Sequence, residues 1–236
     1  MTKSANILHF EPNGPNGLDE WEQMDYDSLA FGQPLQHGYI YHEIPEQGYM
    51  VGVWACTAFT DQMMPYTVDE YMLILEGELT ILLPDGAYIE IKAGDAFIIP
   101  KGFECQWQQN SFVRKVFMIL DAEAPNAKNA SLKRITVPNL AKPDNADLTT
   151  SRRDFLNAVG DMSVDVQGHG EVVQMGRTSE ANQLITVLQG SLQLHDGEAH
   201  HVFNKGDTAY LHKGDKVDWK TYLETRLIVA SYNRAK

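Results

Sequence analysis

Short runs rich in Val, Ile, Leu, Phe and Tyr recur every eight to twelve residues along the chain, punctuated by Gly and Asp. That rhythm reads as an antiparallel sandwich or barrel. The clearest runs are Tyr71 to Leu75, Leu79 to Leu83, Tyr88 to Ile91 and Phe97 to Ile99. Between them, Leu75-Glu76-Gly77-Glu78, Pro84-Asp85-Gly86 and Ala93-Gly94-Asp95 each supply a residue suited to a tight reversal. Helical spacing is scarce. It predicts two short helices, one over Leu18 to Met24 and one over Arg152 to Val159, where Phe155, Leu156 and Val159 would share an apolar face.

The run from Ile74 to Trp107 can be laid over Val187 to Trp219. Both share Leu-x-Gly-x-Leu, then Asp-Gly, then Lys-x-Gly-Asp, then Lys-Gly and a closing Trp. Gly77 pairs with Gly190, Asp85 with Asp196, Gly94 with Gly206, Gly102 with Gly214 and Trp107 with Trp219. Turn glycines kept at this many matching positions indicate a duplicated chain. The intervening stretch is rich in Ala, Asn, Pro and charge, as a crossing between domains would be. The expected division is an amino-terminal arm over 1–45, a first domain over 46–124, a linker over 125–150 and a second domain over 151–236.

Composition narrows the function classes. With 43% hydrophobic and 22% charged residues, the 236-residue chain has material for packed cores and no bias to disorder. A net charge of −13 repels phosphate backbones and anionic lipid, so neither nucleic acid nor a membrane surface is an expected partner. The apolar runs are far shorter than the ~20 residues that span a bilayer, and the first residues lack the apolar stretch of a signal peptide. A soluble, cytoplasmic protein is expected. Cys56 and Cys105 are the only cysteines, too few for a disulfide framework or a cysteine-rich zinc site. No phosphate loop, dinucleotide fingerprint or supported Ser-His-Asp pattern is present.

At its repeated residues the chain resembles the cupin superfamily, small jelly-roll barrels with two motifs around a central cavity. Glu70 followed after six residues by Gly77 matches the end of the first motif, and Gly94, Pro100 and Gly102 match the second. The stretch from Gly94 to Leu120 is further similar to the subgroup that includes ureidoglycine aminohydrolase and the ethanolamine-utilisation cupin. The resemblance implies an all-β bicupin, two tandem cupin-type jelly-roll barrels with little helix. It also implies a homodimer, because the outer strands of such sheets are readily paired across a two-fold axis.

The resemblance places metal-binding histidines where this chain has Met64, Tyr66 and Cys105, with Gln109 at the family Asn position. In the second copy the four first-motif and second-motif ligand positions are Arg177, Ser179, Gln183 and Val217. A thioether, a phenol, a carboxylate and a thiol make a poor site for a hard divalent ion, and a guanidinium repels one. No metal or other cofactor is therefore expected at either centre. Residues two apart on a strand share a face, so Met64, Tyr66, Glu70, Cys105, Trp107 and Gln109 would surround one ligand cavity. The alternative is that Met64, Met72 and Trp107 fill the interior and Glu70 pairs with Tyr66.

Other candidates have plainer readings. Cys105 as a nucleophile needs a base to form thiolate, and no histidine lies between His42 and His169; an inert buried thiol is the competing reading. His195, His200, His201 and His212 fall in turns or on opposite strand faces and do not converge on one ion. Arg177 would bind a carboxylate or pair with Glu171 or Glu180. His37 and His42 belong to the arm, which either packs locally or reaches a neighbouring subunit. The expected function is small-molecule binding in the first barrel. The alternative is a metal-dependent cupin enzyme acting on a small amidated or ureido compound, as the resemblance to ureidoglycine aminohydrolase implies. A filled, purely structural module is the third reading.

Overall fold

The computed structural model describes residues 7–121 and 149–234. It divides into two compact units, residues 11–121 and residues 7–10 with 149–234. Most of the expected linker, with the boundary near residue 125, lies outside the described residues.

In the first unit, one antiparallel sheet runs in the order Ala96–Ile99, Asp69–Glu76, Val113–Leu120, Tyr49–Cys56, Gln36–Ile44 and Asp19–Glu20. The facing sheet runs Tyr88–Lys92, Glu78–Leu82, Glu104–Gln109, Phe59–Asp61 and Leu29–Gly32, with Met64–Pro65 also paired to Glu104–Gln109. Alternation drives the packing, since every second residue of a strand faces inward. Cys56, Met72, Ile74, Phe97 and Phe117 from the first sheet meet Phe59, Leu79, Ile81, Ile91 and Trp107 from the second in one core.

The second unit repeats the plan. Its larger sheet runs Leu8–His9, Thr208–Leu211, Asn182–Gln189, Thr225–Tyr232, Met162–His169 and Thr149–Leu156; its smaller one runs Val172–Thr178, Lys216–Thr221, Ser191–His195 and His200–Asn204. Ile185, Val187, Leu211, Leu227 and Val229 pack on Leu192, Leu194, Phe203, Val217 and Trp219. Each unit is thus a jelly roll of two facing sheets. This is the expected pair of tandem cupin-type jelly rolls with little helix; among the described residues no strand pairing joins the two sheets of a unit into a closed cylinder.

The duplication holds down to individual side chains. Asp69 accepts a hydrogen bond from the Lys101 backbone N–H at 2.9 Å and Asn182 accepts one from Lys213 at 2.9 Å, while the two lysine ammoniums reach Asp121 at 2.8 Å and Asn233 at 2.7 Å. Gly77 and Gly190 both sit at positive φ, 83° and 72°. A Cβ on Gly77 would stand 2.1 Å from the Phe112 carbonyl oxygen, and one on Gly190 would stand 2.7 Å from Thr225 Oγ1. Glycine is required at this turn in both copies for the same two reasons, backbone conformation and close approach.

Two local expectations are corrected. Arg152 to Leu156 belong to a strand, and the predicted helical face does not exist: Phe155 is buried while its neighbour Leu156 is 45% exposed, which is period two. Arg153 answers Asp165 across the strand pair, and Asn157 Oδ1 accepts from the N–H groups of Gly160, Asp161 and Met162 to close the following turn. Leu18 to Met24 are likewise not helical. Asp19–Glu20 pair with Gly38 and His37, and the Trp21 N–H donates to the Gln36 carbonyl at 3.0 Å. Leu29–Gly32 and Gln36–Ile44 are strands of the first unit, so His37 and His42 lie in its sheet, where His42 stands edge-on to Tyr49. No helix among the described residues is long and apolar enough to cross a membrane.

Candidate functional site

A cavity of about 220 Å³ opens into the first unit, lined by Trp21, Met24, Trp54, Phe59, Asp61, Tyr66, Glu70, Trp107, Lys115, Phe117 and Ile119. Its wall is aromatic, and its polar groups are gathered at one place. Lys115, Phe117 and Ile119 come from alternate positions of the Val113–Leu120 strand, so a lysine is carried inward in register with apolar neighbours. The Lys115 ammonium lies 2.8 Å from Glu70 Oε1, with the two side chains 9% and 4% exposed. The contact is an ion pair, and no other donor reaches Oε1. The same ammonium donates to Met72 Sδ at 3.3 Å and stands 4.6 Å and 4.8 Å from the ring centroids of Trp54 and Trp107. Two indole faces and a carboxylate together replace the water that an exposed lysine would hold.

The other Glu70 oxygen accepts a hydrogen bond from the Tyr66 hydroxyl. Burial, reinforced by the Glu70 charge, holds the Tyr66 phenol well above its usual pKa and keeps it a donor. Burial also raises the Asp61 carboxyl to about 6, against the opposing pull of Lys115. The indoles are fixed from behind: Trp54 Nε1 donates to Gln36 Oε1 at 3.0 Å, and Trp107 Nε1 donates to Gln109 Oε1 at 2.8 Å. Gln36 in turn donates through Nε2 to the Glu22 carbonyl, tying the Trp21–Met24 segment to the cavity wall.

The structure therefore brings together three of the six residues expected around the cavity: Tyr66, Glu70 and Trp107. Gln109 is 1% exposed and spends its amide on Trp107 and on the carbonyls of Cys56 and Thr57, so it orients an indole and does not line the cavity. Met64 is 37% exposed on a two-residue strand beside Cys105. Cys105 lies in the core, its thiol pushed up to about 12 by burial and then by Asp61. Lys101 and Arg114 pair with Asp121 and Glu76 and supply no activating charge to it. This favours the inert thiol over the nucleophile.

Lys115 is the residue that motif spacing missed. Its signal is legible all the same: a lone lysine at the inward position of VRKVFMIL, two residues from Val113 and two from Phe117. Trp21, Met24, Trp54, Phe59 and Asp61 come from segments that the motifs do not cover.

In the second copy Ser179 takes the place of Tyr66, Gln183 of Glu70 and Leu227 of Lys115, by the matching strand registers. The hydroxyl contact survives, with Ser179 Oγ 3.1 Å from Gln183 Oε1, and Gln183 Nε2 reaches Ser231 Oγ at 3.5 Å. The acid and its counter-ion are both absent there, which leaves neither charge stranded. Val217 is buried and Arg177 lies over the Trp219 ring. His201 and His212 pair with Asp196 and Asp215, and His195 stacks on His200. Among the described residues no group of three His, Cys, Asp or Glu side chains is placed to hold a metal ion.

The family metal fits neither centre. In the first copy an ammonium already neutralises Glu70, and the remaining donors are a protonated phenol, a protonated thiol and a half-exposed thioether. In the second copy the amide, hydroxyl and alkyl side chains carry no negative charge.

Two jelly rolls on one turn pattern, each with its motif carboxylate or amide at the centre, define a two-domain cupin. The chain belongs to the EutQ-like cupin family, whose domain matches residues 45–117 and again 166–226. No curated protein matches it. Among solved structures it is similar to a protein of unknown function from Pseudomonas syringae pv. tomato, at 17% identity and a TM-score of 0.72 over 96% of this chain and 99% of that one. It is also similar to a Cupin 2 conserved barrel domain protein from Leptotrichia buccalis, at 12% identity and a TM-score of 0.60 over 92% and 98%. A mutant salicylate 1,2-dioxygenase from Pseudoaminobacter salicylatoxidans aligns at 11% identity and a TM-score of 0.55 over 78% and 71%. At these identities the likeness concerns the fold alone.

Proposed function

We propose that the first unit is a binding chamber for a small, largely aromatic molecule carrying a hydrogen-bond donor, and that Lys115 acts there as a built-in cation in place of a metal. The observation that carries this reading is the Glu70–Lys115 pair set among the indoles of Trp21, Trp54 and Trp107 in a cavity of about 220 Å³. Aromatic faces supply stacking area, while Glu70 Oε1 and Asp61 offer acceptors to a donor on the ligand. The volume is below the 300–1,000 Å³ usual for drug-sized ligands, which selects a single-ring compound. A metal-dependent reaction on a ureido or amidated compound has no donor set here to support it.

Three of the four tryptophans line the cavity, so their fluorescence is a direct reporter. Titration with benzyl alcohol and benzylamine, read by fluorescence and by thermal shift, is expected to give saturable binding to the unmodified protein. Glu70→Gln should weaken it at least about tenfold, the effect of losing about 1.4 kcal/mol, and Gln183→Ala should leave it unchanged. Equal binding by both variants, or binding seen in the second unit, would refute the assignment.

A further inference from the structure

The second unit carries a cation that no carboxylate answers among the described residues. Arg177 stands opposite Val217 in the pairing of Val172–Thr178 with Lys216–Thr221, and Val217 is 1% exposed, so the pair faces the interior. The pairing register shifts between Gln174 and Arg177, an irregularity of the kind that re-aims a side chain. The guanidinium lies with its Cζ 4.1 Å from the centroid of the buried Trp219 ring. Neither Glu171 nor Glu180 pairs with it, and among the described residues no carboxylate lies within 4.0 Å of its nitrogens. Stacking occupies the flat face of a guanidinium and leaves its in-plane N–H fork open.

We propose that Arg177, stacked on Trp219, binds a small monocarboxylate at the interior edge of the second unit. Several features select that class of anion. A guanidinium fork matches the two oxygens of a carboxylate, and one fixed positive charge balances one negative charge. A phosphate would bring nearly twice the charge to a seat with no second cation supplied by His169: burial and the Arg177 charge hold that imidazole down at about 4, neutral at pH 7. The chain's net charge of −13 disfavours anions at long range, so retention depends on this local contact and not on a general basic surface. The first copy has Met64 opposite Cys105 at the matching position, with no such cation, so the two units would take ligands of different chemistry. The proposal is independent of the reading of the first cavity.

The test is a thermal-shift and calorimetric titration of the full chain with sodium acetate and sodium benzoate, against sodium chloride at equal ionic strength. Binding with a Kd on the order of 1 mM is expected for a contact of this size. Arg177→Met should abolish it, and Arg177→Lys should weaken it several-fold by losing the fork. Should Arg177→Met fail to fold, the side-chain N–H resonance of Arg177 in arginine-labelled protein gives the second readout, and it should move on adding acetate and not on adding chloride. Absence of carboxylate binding, equal effects of chloride, or binding unchanged in Arg177→Met would overturn the proposal.

Discussion

Lys115→Leu is expected to destabilise the first unit by about 3–5 kcal/mol, because it leaves the Glu70 carboxylate buried without its counter-charge. Glu70→Gln should cost less. The ammonium it strands still faces Trp54 and Trp107 at 4.6 Å and 4.8 Å, and such contacts are each worth about 0.5–2 kcal/mol. The informative variant is the double one, Glu70→Gln with Lys115→Leu, which reproduces the Gln183 and Leu227 found at the matching places of the second copy. It should recover most of the loss, with a coupling of about 2–3 kcal/mol in a double-mutant cycle from urea unfolding at pH 7. Additive losses would mean that the two charges are held by separate neighbours and are not a pair.

The second large effect is a pH dependence in the second unit. His169 is lowered from 6.5 to about 4 by burial and by Arg177, which at 1.36 kcal/mol per pKa unit corresponds to about 3 kcal/mol. The unfolded chain binds this proton before the folded one does. The stability is therefore complete above pH 6.5 and is lost as the pH falls through about 4. His169→Gln should flatten the profile between those limits. Asp61, raised to about 6, has the opposite sign: the stability it contributes is present at low pH and lost as the pH rises through 6. Unfolding curves from pH 4 to 7, with His169→Gln and Asp61→Asn measured beside the unmodified protein, separate the two. A His169→Gln profile as steep as the unmodified one would contradict the first assignment.

What the chain's pattern discloses follows from which features repeat. Gly77 with Gly190 and Asp85 with Asp196 recur because a turn tolerates few residue types, so duplication and fold class are legible in the order of residues alone. The carboxylate and phenol of the site are legible too, since Glu70 and Tyr66 stand at motif positions. Gln109 faces inward as its parity implies, yet its amide is consumed by Trp107, Cys56 and Thr57, and alternation alone does not report hydrogen-bond partners. Met64 fails for another reason: its strand is two residues long and pairs only with Glu104 and Cys105, too short a run for alternation to fix a face. The helix expected over Arg152 to Val159 rests on three apolar residues, of which strand geometry sends Phe155 and Leu156 to opposite faces while Val159 falls in the turn that follows. Lys115 is hidden by its company, a charge inside an apolar run that only its partner Glu70, forty-five positions earlier, makes intelligible.

The claim that a lysine ammonium does the work of a metal at the centre of the first unit is tested most directly by elemental analysis. Untagged protein would be equilibrated with Mn, Fe, Zn and Ni, passed through a desalting column and assayed for each metal, with Glu70→Gln in parallel. The account predicts far less than one metal ion per chain and no difference between the two proteins. One equivalent of any of these metals in the unmodified protein, lost in Glu70→Gln, would contradict it.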